Sequence, residues 1–147
     1  MRRYELEKER EGSNIYFFIR DMETLDIVLL PTKYLMHKIR SKCSPNTVRR
    51  SALAILYYLE YIYEKEHQVI GEVLNAFNLN KTIEIYEKFC QTEFNEDDTP
   101  IAALKQSARK LLTDSILKML FNEEEITEML FADVMNGISS RYDKLNS

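Results

Sequence analysis

Between Ser41 and Lys65 the chain changes from polar and basic to apolar. Val48, Ala52, Ile55, Leu56, Leu59, Ile62 and Tyr63 recur at helical spacing. Leu53, Ala54, Tyr57, Tyr58 and Tyr61 cover much of the remaining circumference. A helix apolar on nearly every side belongs inside a protein, so this stretch predicts a buried central helix over 45–65. Ser44 before Pro45 marks its start, because a first-turn proline loses no hydrogen bond. Its polar residues, Asn46, Thr47, Arg49, Arg50 and Ser51, gather at that end.

Around this helix the pattern predicts shorter elements. Residues 1–13 are charged and aperiodic, which predicts a flexible lead-in. Asn14–Arg20 and Leu25–Leu30 are β-prone runs around a polar turn, and predict a hairpin or, failing that, an extended arm. Thr32–Arg40 reads as a first helix, with Leu35, Met36 and Ile39 inward. Val69–Phe77 predicts a short turn or helix around Gly71. A helix follows over 81–93 on Ile83, Ile85, Tyr86, Phe89 and Cys90, then an acidic loop over 94–100. Another helix spans about Ile101 to Phe121. Asn122 caps a last helix that opens on Glu123–Glu125 and runs to about Ile138 or beyond, with Ile126, Met129, Leu130, Val134 and Ile138 inward. The polar tail 139–147 is expected to fray. The whole reads as mainly α: an arm over 1–30, with its hairpin at 14–30, then a helical domain of four to five helices over 31–147.

Composition agrees with one helical domain. The chain has 147 residues, enough for a core, and only three glycines and three prolines. No apolar run is long enough for a membrane span, and the charged N-terminus lacks the apolar segment of a secretory signal. Cys43 and Cys90 lie far apart, which argues against a disulfide framework and for a reduced, cytoplasmic setting.

Charge changes the picture more. The net charge of −4 hides a window, 31–50, with Lys33, Lys38, Arg40, Lys42, Arg49, Arg50 and no acid. A local positive patch in an acidic protein is an electrostatic footprint of phosphate-backbone binding. It coincides with a helix start, where free N–H groups and the helix dipole favour an anion. The bland alternative is an ordinary core helix with a solvated basic end.

The search for other chemistry yields little. There is no glycine-rich phosphate loop, no CxxC, no HExxH and no calcium loop, so no cofactor and no metal is expected. Glu123–Glu125 is explained by its helix-start position. Cys43 beside Lys42 reads as a spectator thiol, and His67 as an exposed helix end.

The order of Asn14–Arg20, LPTKYLMHKIR and CSPNTVRRSALAILYYLEYI resembles the N-terminal part of phage-type tyrosine recombinases, the site-specific integrases. The match lies in Ser44-Pro45-Asn46-Thr47 opening a long helix, and in Leu56-Tyr57-Tyr58-Leu59-Glu60-Tyr61-Ile62 near its end. It covers about a third of the chain strongly and weakens from Val69 to Phe121. The resemblance implies a SAM-like core-binding domain, an orthogonal helical bundle that clamps double-stranded DNA. It implicates Ser44, Asn46, Thr47, Arg49 and Arg50 in DNA contact. Neighbouring Lys42 joins them by charge, as do Lys105 and Arg109, which share one face of the helix over 101–121.

The family's catalytic domain, with two arginines, a lysine, a His-x-x-Arg box and a tyrosine nucleophile, is not expected in this chain. His37-x-x-Arg40 sits in the first helix, outside any such domain, and is a chance match. The chain is therefore expected to lack strand-transfer activity of its own. The resemblance also allows a homo-oligomer on DNA, through the hairpin or the last helix. The competing reading is an acidic helical module that binds proteins, through apolar surface around Tyr16, Phe17, Phe18 or Phe131.

Overall fold

The computed structural model describes residues 2–73, 79–95, 106 and 119–145. Two antiparallel strands, β1 (Tyr4–Glu11) and β2 (Asn14–Asp21), precede helices α1 (Leu29–Arg40), α2 (Pro45–Glu66), α3 (Ile70–Val73), α4 (Leu79–Phe94) and α5 (Glu123–Leu145). A mainly helical chain with an N-terminal hairpin is therefore observed, but the hairpin lies one strand earlier than expected. Residues 4–11, read as a flexible lead-in, form β1. The turn is Gly12-Ser13, where Gly12 has φ +62° and Ser13 does not share the positive φ. Glycine at the first of two turn positions suits the strand twist of a tight hairpin.

The run 25–30 does not form the second strand. Ile27 makes one isolated bridge to Arg20, and the Val28 N–H donates to the Ile19 carbonyl at 2.8 Å. From Leu29 the backbone is helical, with Pro31 tolerated in the first turn. The bend between β2 and α1 is organised by Asp21. Its Oδ1 accepts the Glu23 N–H at 2.9 Å and the Thr24 N–H at 3.3 Å. Its carboxylate also takes the Arg3 guanidinium, with Nη2–Oδ2 at 2.9 Å. Burial alone would raise the Asp21 pKa, but the Arg3 hydrogen bond and these two amides hold it below the usual carboxylate range.

The hairpin is no free arm. Tyr4, Phe17 and Ile19 belong to the same apolar cluster as α1, α2, α4 and α5. Glu60 of α2 fastens its base by accepting the Tyr4 N–H at 2.7 Å and the Arg3 N–H at 3.4 Å. In the resemblance Glu60 was only part of a motif; here it ties β1 to the central helix.

α2 has the expected bounds and burial. Val48, Ala52, Ile55, Leu59 and Ile62 are fully buried. Ser44 caps it, its hydroxyl oxygen accepting the Thr47 N–H at 3.2 Å, and His67 ends it in a left-handed conformation. Four aromatic rings meet Phe89 of α4 edge-on, those of Tyr57, Tyr58, Tyr61 and Phe94. The expected helix over 101–121 falls almost wholly outside the described residues; Met119 and Leu120 are helical. The loop over 94–100 also lies largely outside them.

α5 starts as its cap predicts, with Asn122 Oδ1 accepting the Glu125 N–H at 2.9 Å. It runs on beyond Ile138, through most of the polar tail. The helix continues to Leu145 because its last turns are anchored. Arg141 is buried, and its Nη1 donates to the Tyr86 hydroxyl at 2.7 Å and the Gly137 carbonyl at 2.8 Å. Gly137 makes room for this approach, since a Cβ there would meet the Tyr86 hydroxyl and lie 2.9 Å from Arg141 Nη1. Gly137→Ala is expected to lower stability by about 1–2 kcal/mol: overpacking outweighs the better helix propensity of alanine. A urea melt checks this, and an unchanged midpoint would mean that Tyr86 yields freely.

Candidate nucleic-acid interface

The corner between α1 and α2 is short because α1 ends at once after Arg40. The Ser41 and Lys42 N–H groups turn back to the His37 and Ile39 carbonyls, and Lys42 takes a positive φ of 64°. Ser44 then opens α2. Lys42, Ser44, Asn46, Thr47, Arg49 and Arg50 are all exposed, while Val48 between them points into the core. Six of the eight residues expected to bind DNA thus line one solvent-facing corner. Lys105 and Arg109 lie outside the described residues.

The corner is electrostatically unusual. Helix starts favour acidic residues, yet the first turn of α2 has none. Arg49 and Arg50 follow in the second turn, where they add to the positive end of the dipole. At the other side of the corner, Lys38 and Arg40 sit in the last turn of α1, the favourable place for cations. Their position is explained by helix chemistry alone; that of Arg49 and Arg50 is not.

The tertiary structure trims the patch. Lys33 points to α5, where its Nζ meets Glu128 at 2.8 Å and Glu124 at 3.4 Å. Glu128 first, with Glu124 adding to it, raises the Lys33 pKa. Lys38 lies over the Tyr34 ring, 5.4 Å from its centroid. Arg50 pairs with Asp143 of α5, Nη2–Oδ1 3.0 Å, both side chains half exposed. Among the described residues Arg40, Lys42 and Arg49 make no ion pair. Ser44 is also partly committed, its hydroxyl bonded to the Thr47 hydroxyl at 2.9 Å as well as to the Thr47 amide.

Asp143 is the residue that sequence reasoning missed. It lies in the tail expected to fray, and no local pattern connects it to Arg50. The apolar surface named for protein binding is also corrected. Phe17 and Phe131 are 4% and 1% exposed, and Tyr16 and Phe18 are half-buried. The large exposed apolar side chains are instead Met22, Leu25, Ile27, Leu29, Tyr57, Met119 and Leu120. They lie mostly in the β2–α1 connection and just before α5.

Among the described residues no group of three or more His, Cys, Asp or Glu side chains is placed to hold a metal ion. Cys43 and Cys90 form no disulfide. No described helix is long and apolar enough to cross a membrane. Compared with known proteins, the chain matches no family model, no curated protein and no solved structure.

Proposed function

We propose that this chain is a DNA-binding domain of the tyrosine-recombinase type: an orthogonal, SAM-like helical bundle that clamps a duplex with its α1–α2 corner. The observation that carries the reading is the exposed, acid-free start of α2, with Ser44, Asn46, Thr47, Arg49 and Arg50 on it and Lys42 beside it. Amide and hydroxyl groups at a helix start are suited to phosphate oxygens, and arginine adds bidentate contact to phosphate or guanine.

The test is a titration of labelled nonspecific duplex at two salt concentrations. Arg49→Ala/Arg50→Ala is expected to weaken binding at least tenfold at low salt and to flatten the salt dependence by about two charges. Asp143→Asn is expected to tighten binding about two- to fivefold, because Arg50 no longer exchanges a carboxylate for a phosphate. Equal affinities for the wild type and the double variant would remove the corner from the interface.

A further inference from the structure

A groove runs between α1 and the first half of α5, on other surfaces of these helices than the basic corner. It consists of two adjoining cavities of about 350 Å³ and about 450 Å³, which share Leu30, Lys33 and Glu128. Tyr34, Phe121, Met129 and Phe131 supply apolar wall to the first, and Leu29 to the second. Leu29 is 65% exposed, and Met119 and Leu120, just before Phe121, are 86% and 67% exposed. Single exposed apolar residues need no explanation, but an exposed leucine at the rim of an apolar-walled groove marks it as a candidate docking surface. The groove is held open by a firm frame. The Tyr34 hydroxyl bonds the Asn136 side chain, and the Tyr34 and Phe131 rings meet edge-on with centroids 6.1 Å apart.

The charge around it selects the occupant. Glu124, Glu125 and Glu128 line the α5 side, and Lys33 faces them from α1. Lys33 bridges Glu124 and Glu128, while Glu125 makes no ion pair among the described residues. Three carboxylates against one ammonium leave an acidic lip over an apolar floor. We propose that this groove receives a basic amphipathic helix from another protein, its apolar side chains on the floor and its lysines or arginines against the lip. The lip would repel a nucleic-acid backbone. A second copy of this chain fits poorly: its basic stretch, 38–50, offers no exposed apolar anchor, with Val48 fully buried and Ile39 half-buried.

The probe is a fluorescein-labelled helical peptide with leucine at i, i+3, i+4 and i+7 and lysine at the intervening positions. Its control has glutamate in place of lysine. Fluorescence anisotropy with the full chain at physiological salt should show binding of the lysine peptide and at least tenfold weaker binding of the control. Leu29→Ser and Glu125→Lys, both at exposed positions, should each weaken the lysine peptide about tenfold. Glu9→Lys, the same charge change on the distant hairpin, should leave its affinity unchanged. Failure of the lysine peptide to bind, or an equal loss from Glu9→Lys, would overturn the proposal, the latter by reducing the effect to bulk charge. A dimer of the free chain in sedimentation that Leu29→Ser dissociates would assign the groove to a second copy instead.

Discussion

Phe89→Ala is expected to cost about 3–5 kcal/mol of unfolding free energy, the range for removing a fully buried aromatic side chain. Phe89 is 0% exposed and its ring is met edge-on by Tyr57, Tyr58, Tyr61 and Phe94. The closest pair, with Tyr58, has centroids 4.8 Å apart. Truncation removes these contacts together and leaves a cavity walled in part by the buried rings of Tyr58 and Tyr61, which have little room to collapse into it. Urea unfolding followed by circular dichroism checks the value; a loss below about 1 kcal/mol would mean that the ring cluster repacks. The cluster grips the second half of α2, whereas the proposed DNA-binding residues stand at its start. Where the variant remains folded, duplex affinity should therefore stay near that of the wild type. This separates loss of fold from loss of interface.

The second large effect is expected at Asp21. Asp21→Asn should lower stability at neutral pH by about 2 kcal/mol, the usual range for hydrogen bonds to a charged group. The substitution removes the negative partner of Arg3 and weakens the acceptor for the Glu23 and Thr24 amides. Arg3 keeps Glu23 at 2.9 Å, but that carboxylate is 65% exposed and screened by water.

The pH dependence has a definite sign. The folded Asp21 pKa lies below its unfolded value, so the unfolded chain takes up the proton first as pH falls. Its contribution is complete above the ordinary carboxylate pKa of about 4 and disappears as pH drops through the folded value. The stability gap between wild type and Asp21→Asn should therefore be wide at pH 7 and narrow in acid. Urea midpoints of both proteins at pH 7 and pH 3 measure it. A gap that stays constant would show that Asp21 acts through shape rather than charge. Because Asp21 joins β1, β2 and the approach to α1, the same variant should speed hydrogen exchange in the hairpin.

How far the sequence carries the structure depends on how local each cause is. α2 was legible because its causes are local. A serine cap, a proline in the first turn and an apolar repeat act within one element, and its bounds and burial follow. The α5 cap and inward residues were legible for the same reason. So was the exposure of the basic corner, since Val48 alone of its residues fits the apolar repeat.

β1 was not legible from composition, because Glu5, Glu7, Glu9 and Glu11 disfavour a strand. The Gly12-Ser13 turn was a signal present but unused. What makes the strand is non-local: Glu60 receives its first amides, Arg3 closes on Asp21, and Arg20 reaches across to Glu7 at 2.8 Å. Likewise the tail of α5 looked free to fray, and is held by Arg141 on Tyr86, a residue of another helix.

The charge pattern divides in the same way. The sequence by itself determined that 31–50 is basic and lies at a helix start, since both are properties of contiguous residues. Only the tertiary structure decided which of those charges remain available. Packing α5 against α1 and α2 turns Lys33 to Glu124 and Glu128 and brings Asp143 to Arg50, while Arg40, Lys42 and Arg49 stay unpaired among the described residues. Electrostatic pairing depends on distance in space, and distance along the chain does not set it.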